Sequence, residues 1–278
     1  MRFTKGHGTG NDFVVVADVD ARLALTDADV AAVTDRRFGI GADGILRVVP
    51  TAAVPEWAHL ARDAPWFMDY RNADGSAVEM CGNGIRVFAR YLHERGLVDS
   101  EETAIATRDG VKVVTRRGAG TFAVDMGRPV VTGDGHTAIE VDGTPYDVAC
   151  VSMGNPHAIL AVDDMATAPV HSLGARIERL PAFPDGTNVE FVRVDDKSSV
   201  AMRVWERGVG ETLSCGTGAC AVAVATAVRG ETGRQVAVHV PGGTLDVDWT
   251  DDDRVVMTGP AVLVADGELR PQWWRGVR

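Results

Sequence analysis

The sequence lacks a long apolar run. No stretch could span a bilayer, and the opening "MRFTKGHGTGNDFVVV" has no apolar core of the kind a signal peptide carries. A cytoplasmic location with no membrane partner is therefore expected. An excess of basic charge is missing too: 28 Lys and Arg stand against 39 Asp and Glu, a net −11 at pH 7. That balance argues against a nucleic-acid binder, which needs a basic face, and against docking to an anionic membrane. Cysteine is scarce, with four in 278 residues: Cys81, Cys150, Cys215 and Cys220. None forms a Cys-x-x-Cys pair, so the zinc-knuckle and thioredoxin-like patterns are absent and no metal site is expected. In a reducing compartment all four are thiols.

What the chain does contain is many short β-branched runs bounded by glycine, aspartate and proline, such as "DFVVVADV", "NVEFVRV" and "VAVHVPGG". These read as strands with tight turns. Helices are fewer. "TDADVAAVTDRRFG" has Thr26 placed as N-cap. "NGIRVFARYLHERG" has apolar residues at helical spacing and ends at Gly96. "TGACAVAVATAVRG" is apolar almost all round, ends at Gly230, and should be deeply buried. Many strands with a few buried helices give the α+β class. Segment 50–66, "PTAAVPEWAHLARDAPW", breaks the pattern and reads as a surface insertion.

A longer unit occurs twice. "YRNADGSAVEMCGNG" sets Asn72 nine residues before Cys81, and "VWERGVGETLSCGTG" sets Glu206 nine residues before Cys215. Upstream, "GNDFVVV" and "GNPHAIL" each place Gly-Asn before an apolar strand. The order Gly-Asn-strand, then Cys-Gly-x-Gly-helix, is thus repeated. Two copies are too few for a solenoid, so a pseudo-symmetric pair of domains facing a shared cleft is expected. The copies should meet near Gly127-Arg128-Pro129.

The chemistry follows from where the cysteines stand. A helix N-terminus has unpaired N–H groups and partial positive charge. A cysteine there has a lowered pKa, and the same amides bind a carboxylate. Flanking glycines let a ligand approach the backbone. One such motif supplies a base and half a carboxylate cradle. Two facing motifs supply a base on each face of one carbon, which is what inversion next to a carboxylate requires. Cys150 and Cys220, inside apolar runs, read as small buried hydrophobes. "GTGACA" is not a dinucleotide loop, because no acidic ribose ligand follows at the right distance. No lysine stands in a Schiff-base context, so no pyridoxal phosphate, and no other cofactor, is expected.

In order, "KGHGTGNDF", "RRFGIGADG", "RNADGSAVEMCGNG", "SMGNPH", "ERGVGETLSCGTGACA" and "VPGG" resemble the diaminopimelate epimerase family over nearly the whole chain. These are pyridoxal-phosphate-independent isomerases of lysine and peptidoglycan biosynthesis. The resemblance implies two domains, each a mostly antiparallel sheet rolled into a barrel around a central helix. They are expected at 1–126, completed by a C-terminal strand at about 263–278, and at 127–262, with the active site in the cleft. It implies Cys81 and Cys215 as the acid/base thiols, with backbone amides of Gly82, Asn83, Gly216 and Thr217 holding the reacting carboxylate. Asn11, Asn72, Asn155, Asn188, Glu206 and Arg207 would hold the other polar groups of diaminopimelate, while His157 and Glu206 tune the thiols. It also implies a homodimer. Two departures stand out: Gly44 where some relatives have glutamine, and Ala265 where an aromatic often packs at the dimer contact. The rival readings are a racemase for a simpler amino acid, which would not need Asn72, Asn188 and Arg207, and a thiol–disulfide redox protein.

Overall fold

The computed structural model describes residues 1–277 and divides into two compact units. Unit 1 is Met1–Val124 together with the chain from Pro260 onward, and unit 2 is Asp125–Gly259. Unit 1 holds β1 (Arg2–Gly8), β2 (Asn11–Ala17), β3 (Gly44–Pro50), β4 (Trp66–Asn72), β5 (Glu102–Thr107), β6 (Gly110–Gly118) and β7 (Thr121–Asp125). Its helices are α1 (Asp27–Thr34) and α2 (Gly82–Glu94). Unit 2 holds β8 (Val130–Val131), β9 (Thr137–Val141), β10 (Thr144–Ser152), β11 (Pro156–Ala161), β12 (Asn188–Asp196), β13 (Ser199–Glu206), β14 (Gly210–Thr212), β15 (Gln235–Val240), β16 (Gly243–Trp249) and β17 (Val255–Pro260). Its helices are α3 (Val170–Ile177) and α4 (Gly216–Val228). The chain returns to unit 1 with β18 (Val262–Glu268) and α5 (Pro271–Val277).

The sheet of unit 1 runs β18-β1-β2-β3-β4-β5-β6-β7, parallel only at β2/β3 and β4/β5. The sheet of unit 2 runs β9-β10-β11-β12-β13-β15-β16-β17, parallel only at β11/β12 and β13/β15. The two orders match strand for strand, so the sequence repeat is a repeat of topology. Each sheet wraps one helix: α2 packs against β1, β2, β3, β4, β6 and β18, and α4 against β10, β11, β12, β15 and β16. This is the α+β class expected from the pattern.

Both central helices are held by burial. Along α2, Ile85, Val87, Phe88 and Leu92 lose all contact with water, and full burial of side chains this size stabilises by ~1.5–3 kcal/mol each before entropy is counted. In α4 the whole run Ala219–Ala225 is buried, which explains a sequence apolar on every face. Each helix stops where the sequence puts glycine: Gly96 and Gly230 adopt φ of 64° and 70°, a region that disfavours other residues. Thr26 caps α1 with a reciprocal box, its hydroxyl taking the Asp29 N–H and the Asp29 carboxylate taking the Thr26 N–H.

Three segments differ from the sequence reading. The C-terminal strand ends at Glu268, and Pro271, suited to a first helical turn, opens α5; Arg278 lies outside the described residues. Helix α3 was not legible, because Pro169 stands at its cap with no side-chain hydrogen bond and Gly174 interrupts it. Gly174 is needed there: a Cβ would lie 2.6 Å from that of Trp205. Segment 50–66 forms two short 3-10 turns, and Val54, Trp57 and Leu60 pack onto a small core of Val49, Ala64, Phe67 and Ala106. Among the described residues no helix is long and apolar enough to cross a membrane.

Candidate active site

In unit 1, β1 and β2 are joined by the two-residue turn Thr9-Gly10, with φ of 50° and 84°. Left-handed residues at both positions match the twist of the flanking strands. The turn delivers Asn11 to the start of β2. Cys81 caps α2 in extended conformation, and its Sγ accepts the Gly84 N–H at 3.4 Å. The Cys81 sulfur faces the Asn11 Oδ1 at 3.6 Å. Gly82 and Asn83 form the first turn, where no intrahelical carbonyl can reach their N–H groups. Asn72 ends β4, accepting from the Tyr70 hydroxyl at 2.9 Å and donating to Ser76 Oγ at 3.2 Å.

The hairpin that carries Asn11 is braced by charge. Lys5, Arg36, Asp12 and Asp43 form a cluster of ion pairs. Burial raises the Asp12 carboxyl, but the hydrogen bonds from Arg36 and Lys5 outweigh it and bring the carboxyl down to about 2.

In unit 2, Cys215 caps α4 in the same way, with Gly218 N–H donating to its Sγ at 3.4 Å and Thr217 Oγ1 at 3.5 Å. Gly216 and Thr217 are the first turn. From Thr217 a hydrogen-bonded chain runs inward. Asn155 Nδ2 donates to Thr217 Oγ1 at 3.3 Å, and Asn155 Oδ1 lies 3.1 Å from His157 Nε2. His157 Nδ1 lies 2.7 Å from Glu190 Oε1. His157 and Glu190 are both buried, and Glu190 Oε2 has no partner among the described residues. Contrary to the lowering expected of a cysteine at a helix start, burial pushes the Cys215 thiol well above its ordinary range, and the charges of Glu206 and Glu190 push it further. Hydrogen bonds from Thr217 and Gly218 act the other way. Asn188 donates to the Pro156 carbonyl at 3.0 Å and accepts the Arg207 N–H at 3.0 Å. The Arg207 guanidinium is exposed, with Nη1 on the Asp185 carbonyl at 2.9 Å. Glu206 accepts from the Thr212 hydroxyl.

Within each unit some of the expected residues gather at the cysteine-capped helix end, while Asn72, Asn188 and Arg207 bond elsewhere, to Tyr70 and Ser76, to Pro156 and each other, and to Asp185. Unit 1 brings together Asn11, Cys81, Gly82 and Asn83. Unit 2 brings together Asn155, His157, Cys215, Gly216 and Thr217, with Glu206 acting on Cys215 through its charge and His157 touching Thr217 only through Asn155.

Four residues that matter here were not singled out in the sequence. Glu190 carried a signal, a lone acid in the apolar run "NVEFV", two residues from Asn188 and so on the same strand face. Gly218 was visible as part of the motif but not for its reason: a Cβ there would lie 2.6 Å from Glu190 Oε1. Asp43 and Arg86 sit in the quoted motifs without a role. Gly44 proves to be a packing requirement, since a Cβ would lie 2.4 Å from the Arg71 carbonyl. Its side-chain position is filled by the neighbouring strand.

Comparison with known proteins agrees with these features. The family described as diaminopimelate epimerase matches residues 3–132 and 149–264. A diaminopimelate epimerase of Streptomyces coelicolor is 51% identical, covering 100% of this chain and 98% of that protein. One from Moorella thermoacetica is 45% identical, covering 97% and 99%. Among solved structures, a phenazine biosynthesis protein of the PhzF family from Bacillus anthracis superposes with a TM-score of 0.70 at 16% identity, over 97% of this chain and 99% of that one. A probable proline racemase from Agrobacterium radiobacter gives 0.69 at 17% identity, over 98% and 95%. At such identities the solved structures share only the fold. The twice-built cysteine cap, the matching strand orders and the full-length sequence match lead to one assignment: the chain belongs to the diaminopimelate epimerase family.

Proposed function

We propose that this protein interconverts LL- and meso-diaminopimelate by exchanging the proton on one α-carbon between two thiols, Cys81 and Cys215. The observation that carries the reading is the thiol at the mouth of a buried helix, built independently in both units with the same backbone conformation and the same N–H bond to sulfur. One thiolate removes the α-proton and the other thiol returns one from the opposite face. Negative charge developing next to the carboxylate is stabilised by the first-turn amides of Gly82, Asn83, Gly216 and Thr217 and by the two helix dipoles. That supplies what an organic electron sink would otherwise provide, so the reaction needs no cofactor.

Asn11, Asn72, Asn155, Asn188, Glu206 and Arg207 hold the remaining polar groups of the substrate, with Asn72, Asn188 and Arg207 reading its distal carboxylate and amine. A guanidinium can grip a carboxylate with two parallel N–H bonds, and Arg207 presents one at the surface. A site so equipped rejects amino acids without a distal carboxylate, because its polar groups are then left unpaired. The enzyme acts in the cytoplasm, in lysine and peptidoglycan precursor synthesis. It works as a homodimer, a reading supported by β18: that strand pairs on one side with β1 and exposes Val262 and Val264.

The test is substitution of each thiol. Cys81→Ser and Cys215→Ser should each lose epimerisation almost completely, since a hydroxyl is a far weaker base near neutrality, while Cys150→Ser should keep it. Near-normal turnover in either active-site variant would overturn the two-thiol reading.

A further inference from the structure

The two cysteine caps are alike in backbone and unlike in what faces the sulfur. Around Cys81 the hydrogen bonds form a line. Arg86, buried in α2, donates from Nη2 to Asn83 Oδ1 at 3.0 Å and from Nη1 to the Gly82 carbonyl at 3.0 Å. Thr9 Oγ1 lies 3.3 Å from both Arg86 Nη2 and Asn83 Oδ1. Asn83 Nδ2 donates to Asn11 Oδ1 at 3.4 Å, and Asn11 Nδ2 donates to Asp43 Oδ2 at 2.7 Å. Asn11 Oδ1 is also the oxygen 3.6 Å from Cys81 Sγ.

The ends of this line settle its direction. A guanidinium only donates, and an ionised carboxylate only accepts. Arg86 therefore requires the carbonyl of Asn83, which turns the Asn83 amide NH2 toward Asn11. Asp43 requires the NH2 of Asn11, which turns the Asn11 carbonyl toward Asn83 and Cys81. Inverting either amide would set donor against donor at Arg86 or acceptor against acceptor at Asp43. An amide carbonyl facing a sulfur can only receive its proton.

Unit 2 is the internal comparison. By motif position Arg86 corresponds to Cys220 and Asn83 to Thr217. By strand register Thr187 takes the place that Asp43 has in unit 1, because Gly44 pairs with Phe13 and Asn188 with His157. Both anchors are missing there, and the group facing Cys215 is a hydroxyl that either gives or takes a proton. The fixed polarity belongs to unit 1 alone.

We propose that Arg86 is a positioning residue. Together with Asp43 it fixes the polarity of the Asn83–Asn11 pair so that Cys81 stands in the substrate-free enzyme as the thiol, its proton aimed at Asn11. This assignment rests on the two-thiol reading above. It adds two residues, Arg86 and Asp43, that do not themselves touch the reacting carbon.

The test reads the S–H infrared band of Cys81, taken as wild type minus Cys81→Ser in the full-length protein without substrate. A band shifted to lower frequency, as for a thiol that donates a hydrogen bond, is expected. Asp43→Asn alone and Arg86→Gln alone should leave it shifted, because either remaining anchor still sets the polarity. Arg86→Lys, a donor-only cation, should behave like wild type. The double variant Asp43→Asn/Arg86→Gln conserves net charge and should lose the shift, or lose the band altogether as a thiolate forms. A wild-type band at the free-thiol position, or no wild-type band, overturns the proposal whether or not any Arg86 variant folds. An unchanged band in the double variant also overturns it. Turnover by Cys81→Ser would instead sink the two-thiol reading, and the band would still report the polarity.

Discussion

Gly84 and Gly218 occupy the same place in the two motifs, three residues after the cysteine, yet alanine should act differently at each. At Gly218 an added Cβ would sit 2.6 Å from Glu190 Oε1, against the 3.4 Å at which ordinary contact begins. The carboxylate must retreat by 3.4 − 2.6 = 0.8 Å. It has no slack, being buried and 2.7 Å from His157 Nδ1. A displacement of that size takes the pair out of hydrogen-bond geometry. Losing a hydrogen bond to a charged group costs about 1.5–3 kcal/mol, while alanine in place of glycine in a helix returns about 0.8–1 kcal/mol. The net is a loss of about 1–2 kcal/mol. At Gly84 the nearest atoms, on Leu46, Cys81 and Phe13, stand 3.3–3.4 Å from the added carbon. The strain there is slight, so Gly84→Ala should be neutral or more stable by up to ~1 kcal/mol. Thermal unfolding of the two variants is the assay, with Gly218→Ala lower in Tm by roughly 2–8 °C and Gly84→Ala unchanged or higher. Equal shifts in both would show that the Glu190 carboxylate does not constrain this helix start.

Two further outcomes concern pH. Because the Glu190 charge helps to raise the Cys215 thiol, after burial and Glu206, Glu190→Gln should move the pH midpoint of Cys215 alkylation downward, measured in a Cys81→Ser background; an upward move would contradict the electrostatics. Asp12, held at about 2 by Arg36 and Lys5 against the burial that raises it, contributes stability that is present above about pH 4 and lost as pH falls through about 2. Its side chain is partly exposed, so the contribution is discounted for screening to about 1–2 kcal/mol. Asp12→Asn should flatten urea stability across pH 4 to 2, and an unchanged slope would remove Asp12 as the cause.

Much of this architecture was legible in the chain because function and local structure use the same residues. Cysteine and glycine at a helix mouth mark both a cap and a thiol site, and the repeat of "CGNG" as "CGTG" disclosed the duplication. Thr26, Gly96 and Gly230 announced helix ends through ordinary capping chemistry. What stayed hidden depends on neighbours distant in sequence. Gly174 looks like a helix breaker until Trp205 is placed against it, and Gly44 looks like a missing contact until the Arg71 carbonyl fills the space. The partnership of Glu190 with His157 spans 33 residues, and the line from Arg86 to Asp43 joins a helix to a loop before a strand. Neither leaves a periodicity to read.

A two-base exchange at one α-carbon of diaminopimelate leaves a record in deuterium. LL-diaminopimelate is incubated with the enzyme in D2O and examined at early turnover. Meso product should carry one α-deuterium, delivered by the thiol opposite the base, while recovered LL substrate stays unlabelled. Label appearing equally in substrate and product would mean that a single exchanging base serves both faces, and no meso product at all would mean that diaminopimelate is not the substrate.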